Sequence, residues 1–95
     1  METVERGSIL FDLGHLVATE NARDAISSSD MARAIERHVT GDWGDLCAAD
    51  KKANDRALCE GSRLLSAYSN AKGTKFWIIT EWDRSFTTIL LPSDY

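Results

Sequence analysis

The stretch Lys75-Phe-Trp-Ile-Ile-Thr-Glu-Trp82, preceded by Arg63-Leu-Leu-Ser-Ala-Tyr68 and followed by Phe86-Thr-Thr-Ile-Leu-Leu91, decides the fold. Its side chains alternate, Phe76, Ile78, Thr80 and Trp82 against Trp77, Ile79 and Glu81, which is the two-residue period of a β-strand. Both sets are largely apolar, so the strand is central, with helices on one face and partial cover on the other. Residues 86–91 are equally rich in β-branched and aromatic side chains and read as a second strand. Asp83-Arg-Ser85 closes a tight hairpin, with the Asp83 carboxylate accepting a backbone N–H. Ser69-Asn-Ala-Lys-Gly73 is a longer hairpin loop with Gly73 at its left-handed position. Three sequential antiparallel strands follow, and Pro92, which has no N–H to donate, ends the last and leaves 93–95 as a tail.

Upstream of this meander the pattern is helical. Residues 46–60 form a helix with Leu46, Ala49, Ala53 and Ala57 on its inner face and Gly61 as its stop. Residues 30–40, with Met31, Ala34/Ile35 and His38/Val39, form another that ends at Gly41, and Ser27-Ser-Ser29 offers its cap. Thr19 caps a helical turn or two over 20–26, with Glu20 near the positive end of the helix dipole. Residues 13–18 read as a short strand entered at Gly14, and the polar residues 1–8 as a loose terminus. The expected architecture is an α+β two-layer domain over 1–95: two to three helices on a small antiparallel sheet, made of the C-terminal meander joined by the N-terminal strand.

With 95 residues the chain buries roughly 60–65% of its unfolded surface, enough for one modest core. A 43% hydrophobic, 27% charged composition is that of a globular domain, monomeric or a small homo-oligomer. No apolar run reaches a membrane span, and Met1-Glu-Thr-Val-Glu-Arg6 is unlike a signal peptide, so the expected location is cytoplasmic. A formal charge of -4 disfavours nonspecific binding to nucleic-acid phosphates. Cys47 and Cys59 are too far apart along one helix for a disulfide, and two histidines without metal-ligand spacing give no structural metal site. No cofactor is expected: neither nucleotide-binding glycine pattern occurs, nor G-x-S-x-G, nor H-E-x-x-H.

Two functional readings remain. For acid–base chemistry the candidates are Glu81, His15 and His38, with Arg63 and Arg84 for charge stabilisation. A helix layer followed by a meander ending in Trp77-Ile-Ile-Thr-Glu-Trp-Asp-Arg84 resembles, in topology, the small barnase-type and toxin-type ribonucleases. That likeness, of topology and not of a catalytic set matched residue by residue, implies metal-independent RNA cleavage; under that reading this chain's own candidates are Glu81, His15, His38 and Arg84. For a binding protein the distinctive stretch is Gly41-Asp-Trp-Gly-Asp45, where Asp42 and Asp45 flank the large apolar Trp43. With Trp82 and Arg84 these residues form a candidate interface for a protein or nucleoprotein partner. The plainer account makes Trp43 a core plug and Asp45 a helix cap. Lys72, Lys75 and Arg84 beside Trp77 and Trp82 offer a third reading, stacking of single-stranded bases.

The segments Arg37-His-Val-Thr-Gly-Asp-Trp-Gly-Asp-Leu46, Asp50-Lys-Lys-Ala-Asn-Asp-Arg-Ala-Leu58, Arg63-Leu-Leu-Ser-Ala-Tyr68 and Trp77 through Tyr95 resemble a family of small bacterial proteins carried on plasmids and integrative elements. The resemblance implies a context, mobile DNA and its conflict with host defences, and no activity; in that context the leading expectation is a non-enzymatic accessory protein that binds a macromolecular partner. A methylation-subunit label carried by some members does not fit this chain, which has no S-adenosylmethionine glycine loop, no Asn/Asp-Pro-Pro-aromatic motif, and Pro92 as its single proline.

Overall fold

The structure is a computed structural model that describes residues 8–95; the expectation for the first seven lies outside them. A short strand β1 (His15–Ala18) leads into helices α1 (Glu20–Ala25), α2 (Ser28–Val39) and α3 (Ala48–Glu60). Strands β2 (Leu64–Ser69), β3 (Lys75–Thr80) and β4 (Phe86–Leu90) follow, and a 3-10 turn (Pro92–Asp94) closes the chain. The sheet order is β1-β4-β3-β2: β2, β3 and β4 are the expected antiparallel meander, and β1 joins it parallel to β4. The architecture is α+β.

The caps act as the side chains dictate. The Thr19 hydroxyl accepts the Ala22 N–H and the Ser27 hydroxyl accepts the Asp30 N–H, each satisfying one orphan donor of a first turn. At the third helix the expectation fails in two respects. Asp45 is not its cap; Cys47 is, without a side-chain hydrogen bond, because the Asp45 backbone is already bonded to Ala67 of β2. Ala49 and Ala53 are exposed; Ala57 is buried as expected, and it shares the buried face with Asn54.

The register places Leu64, Ser66 and Tyr68 beside Thr80, Ile78 and Phe76, and these beside Thr87 and Ile89, on one sheet face. Helices α1 and α2 cover it, with Ala22, Ile26 and Ala34 packed on Tyr68, Phe76, Ile78 and Ile89. A second cluster, Trp43, Ala57 and Leu64, fills the end of the domain beside Phe11, Leu46 and Leu58. The opposite face carries Trp77, Ile79, Phe86, Thr88, Leu90, His15 and Val17; no α-helix among the described residues is layered across it as α1 and α2 are across the first, yet Ile79 and Leu90 are buried there while His15, Val17 and Phe86 are exposed. There the C-terminus does more than trail. Its 3-10 turn folds back so that Tyr95 packs edge-on against Trp77, with centroids 5.7 Å apart, and Asp94 accepts bonds from Thr19, Asn21 and the Leu91 N–H.

Candidate partner-binding surface

The Gly41–Asp45 stretch belongs to the sheet. The Ala67 N–H donates to the Trp43 carbonyl and the Asp45 N–H to the Ala67 carbonyl, so the loop runs as a short parallel bridge along the outer edge of β2. Gly44 makes this approach possible: its φ is +79°, and a Cβ there would lie 2.0 Å from the Ala67 carbonyl oxygen. Trp43 is 3% exposed, its indole N–H donating to Asp55 at 3.0 Å, so it plugs the core. Asp42 is held by Arg37, with Nε to Oδ2 at 2.7 Å, and that bond holds its carboxyl below the usual carboxylate range. Its main-chain oxygen accepts the Tyr68 hydroxyl, and Asp45 receives the Ser69 hydroxyl.

Arg84 is also committed. In the left-handed region at φ 60°, it donates Nη1 to the carbonyls of Ser62 (2.6 Å) and Glu81 (3.0 Å), and Nη2 to that of Ala57 (3.3 Å). A guanidinium, with five donors in a fixed fork, is suited to tying the end of α3 at Ala57 and the residue after its Gly61 stop, Ser62, to the turn at Glu81. The alternation that places Trp82 with Phe76 and Ile78 stops at Thr80, where β3 ends. Trp82 therefore sits in the turn, 66% exposed. Phe86 and Val17, at 41% and 46%, stand on the helix-free face of adjacent strands.

The four residues singled out for acid–base work are divided. His15 is exposed on β1 and Glu81 is half-buried beyond the end of β3, while His38 is wholly buried beneath α2 on the other face. His38 is the centre of a polar relay. Thr87 Oγ1 donates to the Leu13 carbonyl at 2.8 Å, so its contact with Thr80 (2.8 Å) is donated by Thr80. Thr80 then accepts from His38 Nε2 (2.9 Å), and Nδ1 accepts from the Ser66 hydroxyl (2.6 Å). The chain of single protons assigns the Nε2–H tautomer and leaves no ring nitrogen for a substrate. Burial, with the Arg84 charge adding to it, lowers the His38 pKa from 6.5 to about 4.

The basic and aromatic residues of the nucleic-acid reading are not assembled either. Lys75 and Thr80 are the two ends of β3, roughly 17 Å apart, so Lys72 and Lys75 lie at the far end of the sheet from Trp82. Among the described residues no group of His, Cys, Asp and Glu is placed to hold a metal, and no helix is long and apolar enough to cross a membrane. Among the described residues the exposed large apolar side chains are Trp82, Phe86, Leu16, Val17, Tyr95, Ile9 and Leu10, with Leu10 beside Gly41. No family model, curated protein or solved structure matches the chain.

The surface was only partly legible. Trp82 and the turn chemistry of Asp83, whose carboxylate accepts the Ser85 N–H at 3.1 Å, were readable as sequence. Val17 and Phe86 were missed because their exposure depends on β1 lying next to β4, a long-range pairing that alternation does not encode.

Proposed function

We propose that the protein is a non-enzymatic accessory factor that binds a macromolecular partner through the helix-free face of its sheet, with Trp82 as the anchor. The observation that carries this reading is the 66% exposure of Trp82 on the tight turn that leads into β4, whose first residue Phe86 is exposed as well, as is Val17 on the neighbouring β1. A large aromatic on a rigid turn loses little conformational freedom when a partner covers it, which is why tryptophan recurs at interface centres. Glu81 and Asp83 flank it in a chain of charge -4, so the partner's complementary surface is basic, as on a nucleic-acid-binding protein. Within the Gly41–Asp45 loop, Trp43 supports the fold and the contact surface is limited to the outward edges of Asp42 and Asp45. The resemblance to plasmid-borne proteins favours a setting of mobile DNA, with a host or element nucleoprotein as target.

The test is affinity capture from cells carrying such an element, run with the wild type, Trp82→Ala and Lys52→Ala. The expected result is one stoichiometric basic partner retained by the wild type and by Lys52→Ala, on the exposed surface of α3, and lost with Trp82→Ala. Trp82→Ala should change folding stability by no more than about 0.5 kcal/mol, measured by urea unfolding. Capture unchanged by Trp82→Ala, or no stoichiometric partner, overturns the proposal.

A further inference from the structure

The two edges of the sheet are treated differently. On the β2 side every outward main-chain group from Leu65 to Ala67 is occupied. Asn54 donates its amide to the Leu65 carbonyl at 2.6 Å and accepts the Leu65 N–H at 3.2 Å, and the Trp43–Asp45 bridge takes both groups of Ala67. On the β1 side the His15 and Thr19 amides donate to Ser85 and Ile89, so strand parity turns the N–H and C=O of Leu16 and Ala18 away from β4. Among the described residues no strand lies beyond them. Of the devices that usually blunt an exposed edge, His15-Leu-Val-Ala-Thr19 has the short length of β1, four residues, but no lysine, proline or bulge. Leu16 is 52% exposed on one face and Val17 46% on the other, as in a strand whose sheet continues past it.

We propose that two copies of this chain join through β1, antiparallel about a two-fold axis at Val17, to form one continuous eight-stranded sheet from the four strands of each. The register follows from the outward groups. Leu16 of one copy must exchange both bonds with Ala18 of the other, and Ala18 with Leu16, which closes four main-chain hydrogen bonds and sets a large side chain beside a small one. The two Val17 residues then form the central pair without hydrogen bonds, the position of closest side-chain approach. An open apolar groove, lined by Leu16, Ala18, Met31, Ala32 and Ile35 between β1 and α2, adjoins this edge and is covered by the second copy.

Charge selects a second copy over another occupant. A chain of net charge -4 repels itself wherever acidic surfaces meet, but the residues His15–Thr19 themselves include no carboxylate and no lysine; the charges beside them are Asp94, on the Thr19 hydroxyl, and Arg23, the single charged residue lining the groove. Self-pairing there brings no charged side chain of β1 against another, and a charged peptide gains little beyond one arginine. The dimer shares Val17 with the proposed partner surface but rests on a different observation: it uses the main chain of β1, and the helix-free faces of both copies lie side by side.

The test is sedimentation equilibrium of the full chain over a micromolar-to-millimolar series, with wild type, Leu16→Lys, and Val17→Cys in a Cys47→Ser/Cys59→Ser background. The wild type should dimerise. Leu16→Lys should remain folded by circular dichroism and raise the dimer dissociation constant about 100-fold or more, since each loss occurs twice. Val17→Cys should crosslink to a dimer on mild oxidation, because the paired Cα atoms fall within disulfide reach. A wild type that is monomeric throughout, a Leu16→Lys protein that is folded and still dimeric, or a dimer in which Val17→Cys does not crosslink each overturns the proposal.

Discussion

The most consequential residue in the core is a histidine. His38 sits at 0% exposure where the sequence offers only a helical spacing, and its four-partner relay through Ser66, Thr80, Thr87 and the Leu13 carbonyl is satisfied by the neutral ring alone. Protonation would give Nδ1 a hydrogen that points at a hydroxyl already donating to it, in a site without water's dielectric. The unfolded chain takes up that proton near the ordinary 6.5 and the folded one only near 4, so the unfolded state binds more protons between those values. Stability supplied by His38 is therefore complete above 6.5 and lost as the pH falls toward 4. The loss is roughly 3 kcal/mol at its limit. Urea unfolding at stepped pH values should show this slope in the wild type. His38→Leu, destabilised at neutral pH by about 2 kcal/mol because the buried Ser66 hydroxyl loses its acceptor and Thr80 loses a donor, should lack it. The signal for this cluster was present in the sequence: Ser66 and Thr80 interrupt otherwise apolar strand faces. What the sequence lacked was the pairing that stacks them under one helix.

At the scale of elements, the meander was legible because its information is local: alternation, the Asp83 turn, Gly73 and Pro92 each act within a few residues. Helix α3 was legible as a helix and misread in its facing, since its real task is to present Asn54 to the β2 edge, a side chain standing in for a neighbouring strand. Asn54→Ala leaves two part-buried main-chain groups without partners and should cost roughly 2–4 kcal/mol, read from the shift of the urea midpoint at unchanged slope. The loop before α3 was read as an interface because glycine, aspartate and tryptophan are common to binding loops and to tight edge bridges. Gly44→Ala separates these roles. Its methyl would meet the Ala67 carbonyl and require a positive φ, so a destabilisation of at least about 2 kcal/mol is expected, far above what substitution in a free binding loop would cause. An effect under about 0.5 kcal/mol would return the loop to the surface.

At the scale of the whole molecule, the described residues form one helical face, one closed edge, one open edge and one face covered in part at its C-terminal corner, where Arg63 bonds the Tyr95 hydroxyl at 2.6 Å. The open edge and the open face differ in charge, and salt tells them apart. Two copies that each carry -4 repel over their general surface while joining through an uncharged strand, so screening removes an opposing term and leaves the apolar and main-chain contacts intact. A basic partner docked on Trp82 between Glu81 and Asp83 loses attraction under the same screening, most of it as a slower association. Raising salt from low to several-fold above physiological ionic strength should therefore tighten self-association severalfold while loosening partner capture. Sedimentation and surface-binding titrations on one preparation provide both readings. A dimer that weakens as salt rises would require acidic and basic residues of the two copies to meet, an arrangement that joining through the uncharged edge of β1 does not provide.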